Sequence, residues 1–157
     1  MKFAALCAAL LASFSLLAGD LPDLTKTPGV VRHDLTAEAI CTTSWGKDRR
    51  FVTEKMKREV FAVYGLSGND DPSCPLDKHG RRFEIDHIVS RELGGADDVR
   101  NLWPQCYAGK WGASLKDALE NKLHREICAG RITLKQAQNM LVNDWRVAYR
   151  KYYGEPQ

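Results

Sequence analysis

The chain has 157 residues, 23 basic against 20 acidic side chains, and 44% hydrophobic residues. That length and balance fit one domain with one modest core and exclude a second large module; no internal repeat or low-complexity segment is present. A net charge of +3 does not by itself demand a polyanionic partner, although a patch can concentrate it.

In chain order, Met1-Lys2-Phe3 is followed by an uncharged run from Ala4 to Ala18 carrying Leu6, Leu10, Leu11, Phe14, Leu16 and Leu17. This is a secretory signal pattern. A membrane span needs about 20 apolar residues, whereas this run stops at Asp20 and is followed by Pro22 and Asp23. Leu17-Ala18-Gly19 resembles the start of a lipoprotein box, but Asp20 stands where a lipidated cysteine would be. Cleavage is expected after Ala18 or Gly19, giving a soluble bacterial product, secreted or periplasmic, with no membrane association. Without residues 1–19 the chain keeps 138 of its 157 residues and loses only Lys2, so its net charge falls from +3 to +2. Cys7 leaves with the signal; Cys41, Cys74, Cys106 and Cys128 remain. An even count in an oxidising compartment predicts two disulfides, with three connectivities open. A structural zinc site and free thiols are the alternatives, but no Cys-x-x-Cys pair occurs.

Residues 20–32, with Pro22, Pro28 and Gly29, read as an extended leader, and the domain proper occupies 33–157. A helix is predicted from Thr53, carrying Met56, Val60, Phe61 and Tyr64 to a stop at Gly65. Residues 66–80 read as a loop. Phe83-Glu84-Ile85-Asp86-His87-Ile88-Val89 alternates as a strand with Phe83, Ile85 and Ile88 inward. Gly94-Gly95 marks a turn, and Asn101-Leu102-Trp103 a return strand ended by Pro104. A second helix, Ser114 to Cys128, buries Leu115, Ala118, Leu119, Leu123 and Ile127, with Gly130 past its end. The last helix starts at Thr133, where Thr133 and Gln136 have capping-box spacing, and carries Leu134, Ala137, Leu141, Trp145, Ala148 and Tyr152. The class is α+β.

The run from Glu84 to Pro104, with Asp86-His87, then Gly94-Gly95, then Asn101-Leu102-Trp103-Pro104, resembles the HNH endonucleases (His-Me finger, ββα-metal). The similarity continues through Lys116-Asp117, Leu119-Glu120, Leu123-His124, Cys128-x-Gly130, Ala137-Gln138 and Asp144-Trp145, as in a subgroup of small exported bacterial members. It covers most of residues 28–153. The resemblance implies a ββα finger over about 83–128, a two-stranded antiparallel hairpin plus a helix, with flanking helices and a disulfide brace. It also implies the pairs Cys41–Cys128 and Cys74–Cys106.

The residue types make chemical sense of such a site. Phosphodiester hydrolysis needs a deprotonated water, and a neutral imidazole can take its proton, so His87 is the candidate general base. Asp86 is the first candidate metal ligand, for Mg²⁺ or alternatively Mn²⁺, Zn²⁺ or Ni²⁺. Adjacent strand residues point to opposite faces, so the strand must distort or end for Asp86 and His87 to share a site. Asn101 is expected to hold the base or its supporting loop. For the second ligand, Glu120 is favoured, then Asp117; Asn121 and His124 lie on the same side of that helix. Lys116, Arg91 and Arg100, and Arg81 and Arg82, are candidate phosphate contacts, each with a solvated charge as the plain alternative. Glu84 could support the metal or form a surface ion pair. His33 and His79 have no partners at metal-ligand spacing; Trp103, Trp111 and Trp145 are expected in the core, and Trp45 sits in a loop with no assigned role.

The expectation is therefore a monomeric, metal-dependent endonuclease acting on DNA, with RNA open as a second substrate and with little sequence specificity. The alternatives are an exported nucleic-acid or partner-binding protein on an inactive scaffold of that kind, and a structural zinc protein built on the four cysteines.

Overall fold

Three threonines set the helix starts. Thr36, Thr53 and Thr133 each accept, through Oγ1, the amide of the residue three positions on, at 3.1, 3.2 and 3.1 Å. They cap α1 (Ala37–Thr42), α2 (Glu54–Tyr64) and α4 (Leu134–Tyr153), leaving fewer amide donors without a partner. At Thr133 the capping box is complete, because the Gln136 side chain also accepts the Thr133 amide at 2.8 Å. Helix α3 (Ala113–Cys128) instead follows Gly112, which offers no side-chain cap. The computed structural model describes residues 20–157, so the signal segment read from the sequence lies outside the described residues. The short α1 has no counterpart among the helices read from the sequence.

Strands β1 (Phe83–His87) and β2 (Leu102–Cys106) form the two-stranded antiparallel sheet, with Phe83 opposite Cys106 and His87 opposite Leu102. With four α-helices, this makes the described residues an α+β fold. Pro104 does not end the return strand, contrary to expectation; it pairs with Ile85. The ladder explains why it is tolerated. Ile88 N donates to Asn101 O and Tyr107 N to Arg82 O, so hydrogen-bonded pairs fall at every second position between them and Ile85–Pro104 falls on a non-bonded one. Both strands are edges, and the amide that proline lacks would have faced away from the partner.

Two apolar clusters result. Phe83, Ile85, Leu102 and Cys106 on one face of the hairpin pack against Val60 and Phe61 of α2. Val89 and Leu93, after β1, pack with Leu119, Leu123 and Ile127 of α3 and Leu141, Trp145 and Ala148 of α4. Trp111 meets Trp145 edge to face at 5.5 Å, and Trp103 is fully buried. Helix α4 departs from helical geometry at Asp144. Leu115 and Ala118, expected inside, are only half-buried, while Lys116 and Glu120 take buried places on α3. The leader does more than extend: Val31 bridges Gly95, Gly29 N donates to Arg100 O, and Ala96 N donates to Val30 O.

Disulfides join Cys41 to Cys128 and Cys74 to Cys106, the pairs that the resemblance implies. The zinc reading is thereby overturned, since all four thiols are consumed in S–S bonds. Such bonds persist in oxidising compartments, and no helix among the described residues is long and apolar enough to cross a membrane.

The Cys41–Cys128 bridge closes a loop with a sequence separation of 87, against 32 for Cys74–Cys106. Replacing each pair by alanines is expected to lower unfolding free energy by about 2–4 kcal/mol, with the larger loss at Cys41–Cys128 because the longer loop constrains the unfolded chain more. Urea titration of the two variants measures the order; an equal or reversed order refutes it.

Candidate functional site

Strand β1 ends at His87, and this lets neighbouring residues share a site. Beyond it the chain bonds through Ile88 to Asn101 and turns into a short 3-10 turn, Arg91–Leu93. Asp86 and His87 both line one cleft of about 480 Å³, together with Glu84, Asp117, Glu120 and Asn121. Trp45, Asp48 and Arg50, from the loop between α1 and α2, line it too.

His87 is buried, and its Nε2 lies 2.8 Å from Asp97 Oδ1. Burial holds the imidazole below its ordinary value against the pull of the Asp86 and Asp97 carboxylates, so the ring is neutral near pH 7. Burial pushes Asp97 the other way, but bonds from the Phe51 amide and from His87 outweigh it and keep its carboxyl below the usual value. An ionised carboxylate can only accept. Nε2 therefore carries the proton and donates it to Asp97, and Nδ1 keeps its lone pair. Asp97 was not singled out from the sequence; the only signal was its place after Gly94-Gly95 in the motif.

Asn101 is fully buried, and its side chain accepts from Val89 N at 3.0 Å and donates to Val89 O and Ala96 O, both at 3.0 Å. It ties the start and the middle of the loop between the strands to the foot of β2. Gly95 makes the clamp possible: a Cβ there would stand 1.7 Å from Val89 O and 2.8 Å from Asn101 Nδ2.

Lys116 corrects the sequence reading most. Expected as a phosphate contact, it is 1% exposed. Its ammonium donates to Asp86 Oδ2 and to the His87 carbonyl, both at 2.6 Å, and to Glu120 Oε1. Burial opposes its charge, yet the Asp86 and Glu120 carboxylates outweigh burial and hold it above its ordinary value. Glu120, favoured as the second ligand, is also buried and committed to Lys116; burial raises its carboxyl despite that ammonium. His124 turns away, with Nε2 3.3 Å from Ile40 O beside the Cys41–Cys128 bridge. Asn121 lines the cleft while donating to Asp117 O at 2.8 Å.

Asp117 and Glu84 line both this cleft and a neighbouring one of about 650 Å³. Burial first, then the charges of Asp86 and Asp117, push Glu84 up to about 7; burial and Asp86 raise Asp117 as well. Among the described residues, no three His, Cys, Asp or Glu side chains converge at a distance that holds a metal ion unaided.

Of the candidate phosphate contacts, Arg91 lines the cleft but is paired with Asp48 and lies 3.5 Å from Asp97. Arg100 is exposed and paired with Asp98 at 2.7 Å. Arg81 is paired with Asp77 at 2.8 Å and lies over the Tyr107 ring, and Arg82 donates to Cys74 O. Compared with protein-family models, with curated proteins and with solved structures, the chain matches none.

Two outcomes are expected. Lys116→Met leaves the Asp86 and Glu120 carboxylates without their ammonium and should lower unfolding free energy by about 3–5 kcal/mol; a loss below about 1 kcal/mol, the scale of a surface pair, refutes the buried node. For Glu84, a folded value of about 7 against an ordinary 4.5 means that the folded state binds the proton more tightly. Its contribution to stability is therefore lost as pH rises from about 4.5 to about 7. In EDTA, Glu84→Gln should be more stable than wild type at pH 8, and that advantage should shrink on acidification to pH 4. A constant difference across this range contradicts the shift.

Proposed function

We propose that the chain is a metal-dependent endonuclease that hydrolyses phosphodiester bonds of DNA with little sequence specificity. Its site would be a ββα finger made of β1, β2 and α3, with His87 as general base. The observation that carries this reading is a buried His87 held through Nε2 by Asp97 and lining the same cleft as Asp86. A scaffold has no physical need for an oriented, neutral base beside a carboxylate.

Mg²⁺ keeps several waters and takes one or two carboxylates with substrate phosphate oxygens, so it needs no cage of three protein ligands. Asp86 and Asp117 fit that requirement. Both line the cleft, and Glu84 lines it beside them. Glu120 fits less well, because it is spent on Lys116. Neutralising the phosphate and the departing oxygen is the chemistry that a bound divalent ion supplies.

His87 Nδ1 takes a proton from water, the water oxygen bonds to phosphorus, and the P–O bond breaks with its electron pair passing to the leaving oxygen, which takes a proton from solvent. Asp97 keeps the ring in the tautomer that presents Nδ1 and stabilises the imidazolium that forms. Lys116 fixes one oxygen of Asp86 and the carbonyl of His87. Asn101 holds the loop that carries Asp97.

Purified protein without residues 1–19, incubated with plasmid DNA and Mg²⁺, should nick it; EDTA and His87→Ala should each abolish nicking. Asp97→Asn should fold normally and lower the rate about 10- to 100-fold by removing the acceptor that sets the tautomer. Wild-type protein that is folded and oxidised yet inert on DNA and RNA with Mg²⁺, Mn²⁺, Zn²⁺ and Ni²⁺ would leave the binding-protein reading in its place.

A further inference from the structure

The segment between α1 and α2 has no part in the hydrolytic step, yet it is tied to the site from several sides. Arg50 Nη2 donates to Ile85 O at 3.0 Å, and Phe51 N donates to Asp97 Oδ2 at 2.8 Å. The Arg91 guanidinium pairs with Asp48 and donates to Arg49 O at 2.7 Å. Trp45 Nε1 donates to Ile40 O at 2.8 Å. With its backbone held in this way, the loop turns Lys47, Arg49 and Phe51 outward. Phe51 is 58% exposed, and the Arg49 guanidinium lies 4.9 Å from its ring centroid.

An exposed aromatic ring with a guanidinium beside it, on a loop fastened to the wall of a cleft, is a combination suited to gripping a nucleic-acid strand. Ammonium and guanidinium groups meet the phosphates, and the ring stacks a base whatever its identity. We infer that this loop is a strand-binding lip for single-stranded nucleic acid, with a base stacked on Phe51 and the backbone held by Lys47 and Arg49. The inference rests on the nuclease reading for its substrate class. An unpaired strand is favoured because a base offers its face to Phe51 only when it is out of the duplex stack. Asp97 joins the lip to the base, since one carboxylate accepts from both Phe51 N and His87 Nε2. A strand seated on the lip thus lies one side chain away from the proton acceptor.

The test is binding of a fluorescent short single-stranded DNA in EDTA, so that no turnover contributes, with a hairpin duplex of the same sequence alongside. Phe51→Ala should weaken single-strand binding about tenfold, and Phe51→Trp should restore it. Arg49→Ala should weaken it and reduce its dependence on salt. The duplex should bind more weakly than the strand and be indifferent to Phe51→Ala. No single-strand binding by wild type, unchanged affinity in Phe51→Ala, or tighter binding of the duplex overturns the inference. Wild-type hydrolysis of bis(p-nitrophenyl) phosphate with Mg²⁺, a diester without bases, separates the two readings. Its absence alongside Phe51-dependent binding fails the nuclease and keeps the lip; its presence without Phe51-dependent binding does the reverse.

Discussion

Where α3 meets β1, the contact is made by an ammonium rather than by apolar packing. Lys116 has three N–H donors and three oxygens around it, from Asp86, Glu120 and the His87 backbone. A charge removed from water is tolerable only when it is paired and its donors are all used, and both conditions are met here. One apolar cluster lies between α2 and the hairpin and another around α3 and α4. Lys116 is the polar link between them. Because it grips the side chain of Asp86 and the carbonyl of His87 together, the register of α3 against β1 also sets how those two residues are presented to the cleft.

The other side of His87 is fixed by a loop that could easily have been loose. Asn101 spends its whole amide on Val89 and Ala96, and Gly95 permits the approach. The 3-10 turn Val99–Asn101 starts from Asp98, whose side chain accepts from Arg100 N. Asp97 sits in this loop and reaches both His87 and the backbone of Phe51. The end of the hairpin, a clamped loop and a buried ammonium together hold the His87 imidazole and its backbone in place.

Charge is divided across this region. Glu84, Asp86 and Asp117 bring three carboxyls to the cleft, with the Lys116 ammonium tied to Asp86. Arg50 lines the same cleft, and Lys47 and Arg49 are exposed on the same loop. A net charge of +3 for the whole chain does not reveal this local grouping of carboxyls and cations. Composition averages over what a polyanion would meet locally.

Much of the framework was legible in the chain, because its causes act over a few residues. Thr53 and Thr133 cap where their spacing says, Phe83 and Ile85 alternate inward, and Gly94-Gly95 breaks the chain between the strands. Asp86, His87 and Asn101 could be selected from their order, but their roles depend on partners far along the chain. Pro104 was misread because a local rule about proline does not know which side of a strand faces a neighbour. Lys116 reads as a phosphate contact and Glu120 as a metal ligand because helical periodicity sorts residues by polarity and cannot anticipate a charge that finds carboxylates across space. Asp97 and the loop at Phe51 were missed for the same reason, since 46 positions separate that amide from its acceptor. The sequence by itself determined the three longer helices, the place of the two strands, the caps at Thr53 and Thr133 and the residue types available for chemistry. The tertiary structure alone decided which charges meet, because burial and pairing are set by distances that close only when the chain folds.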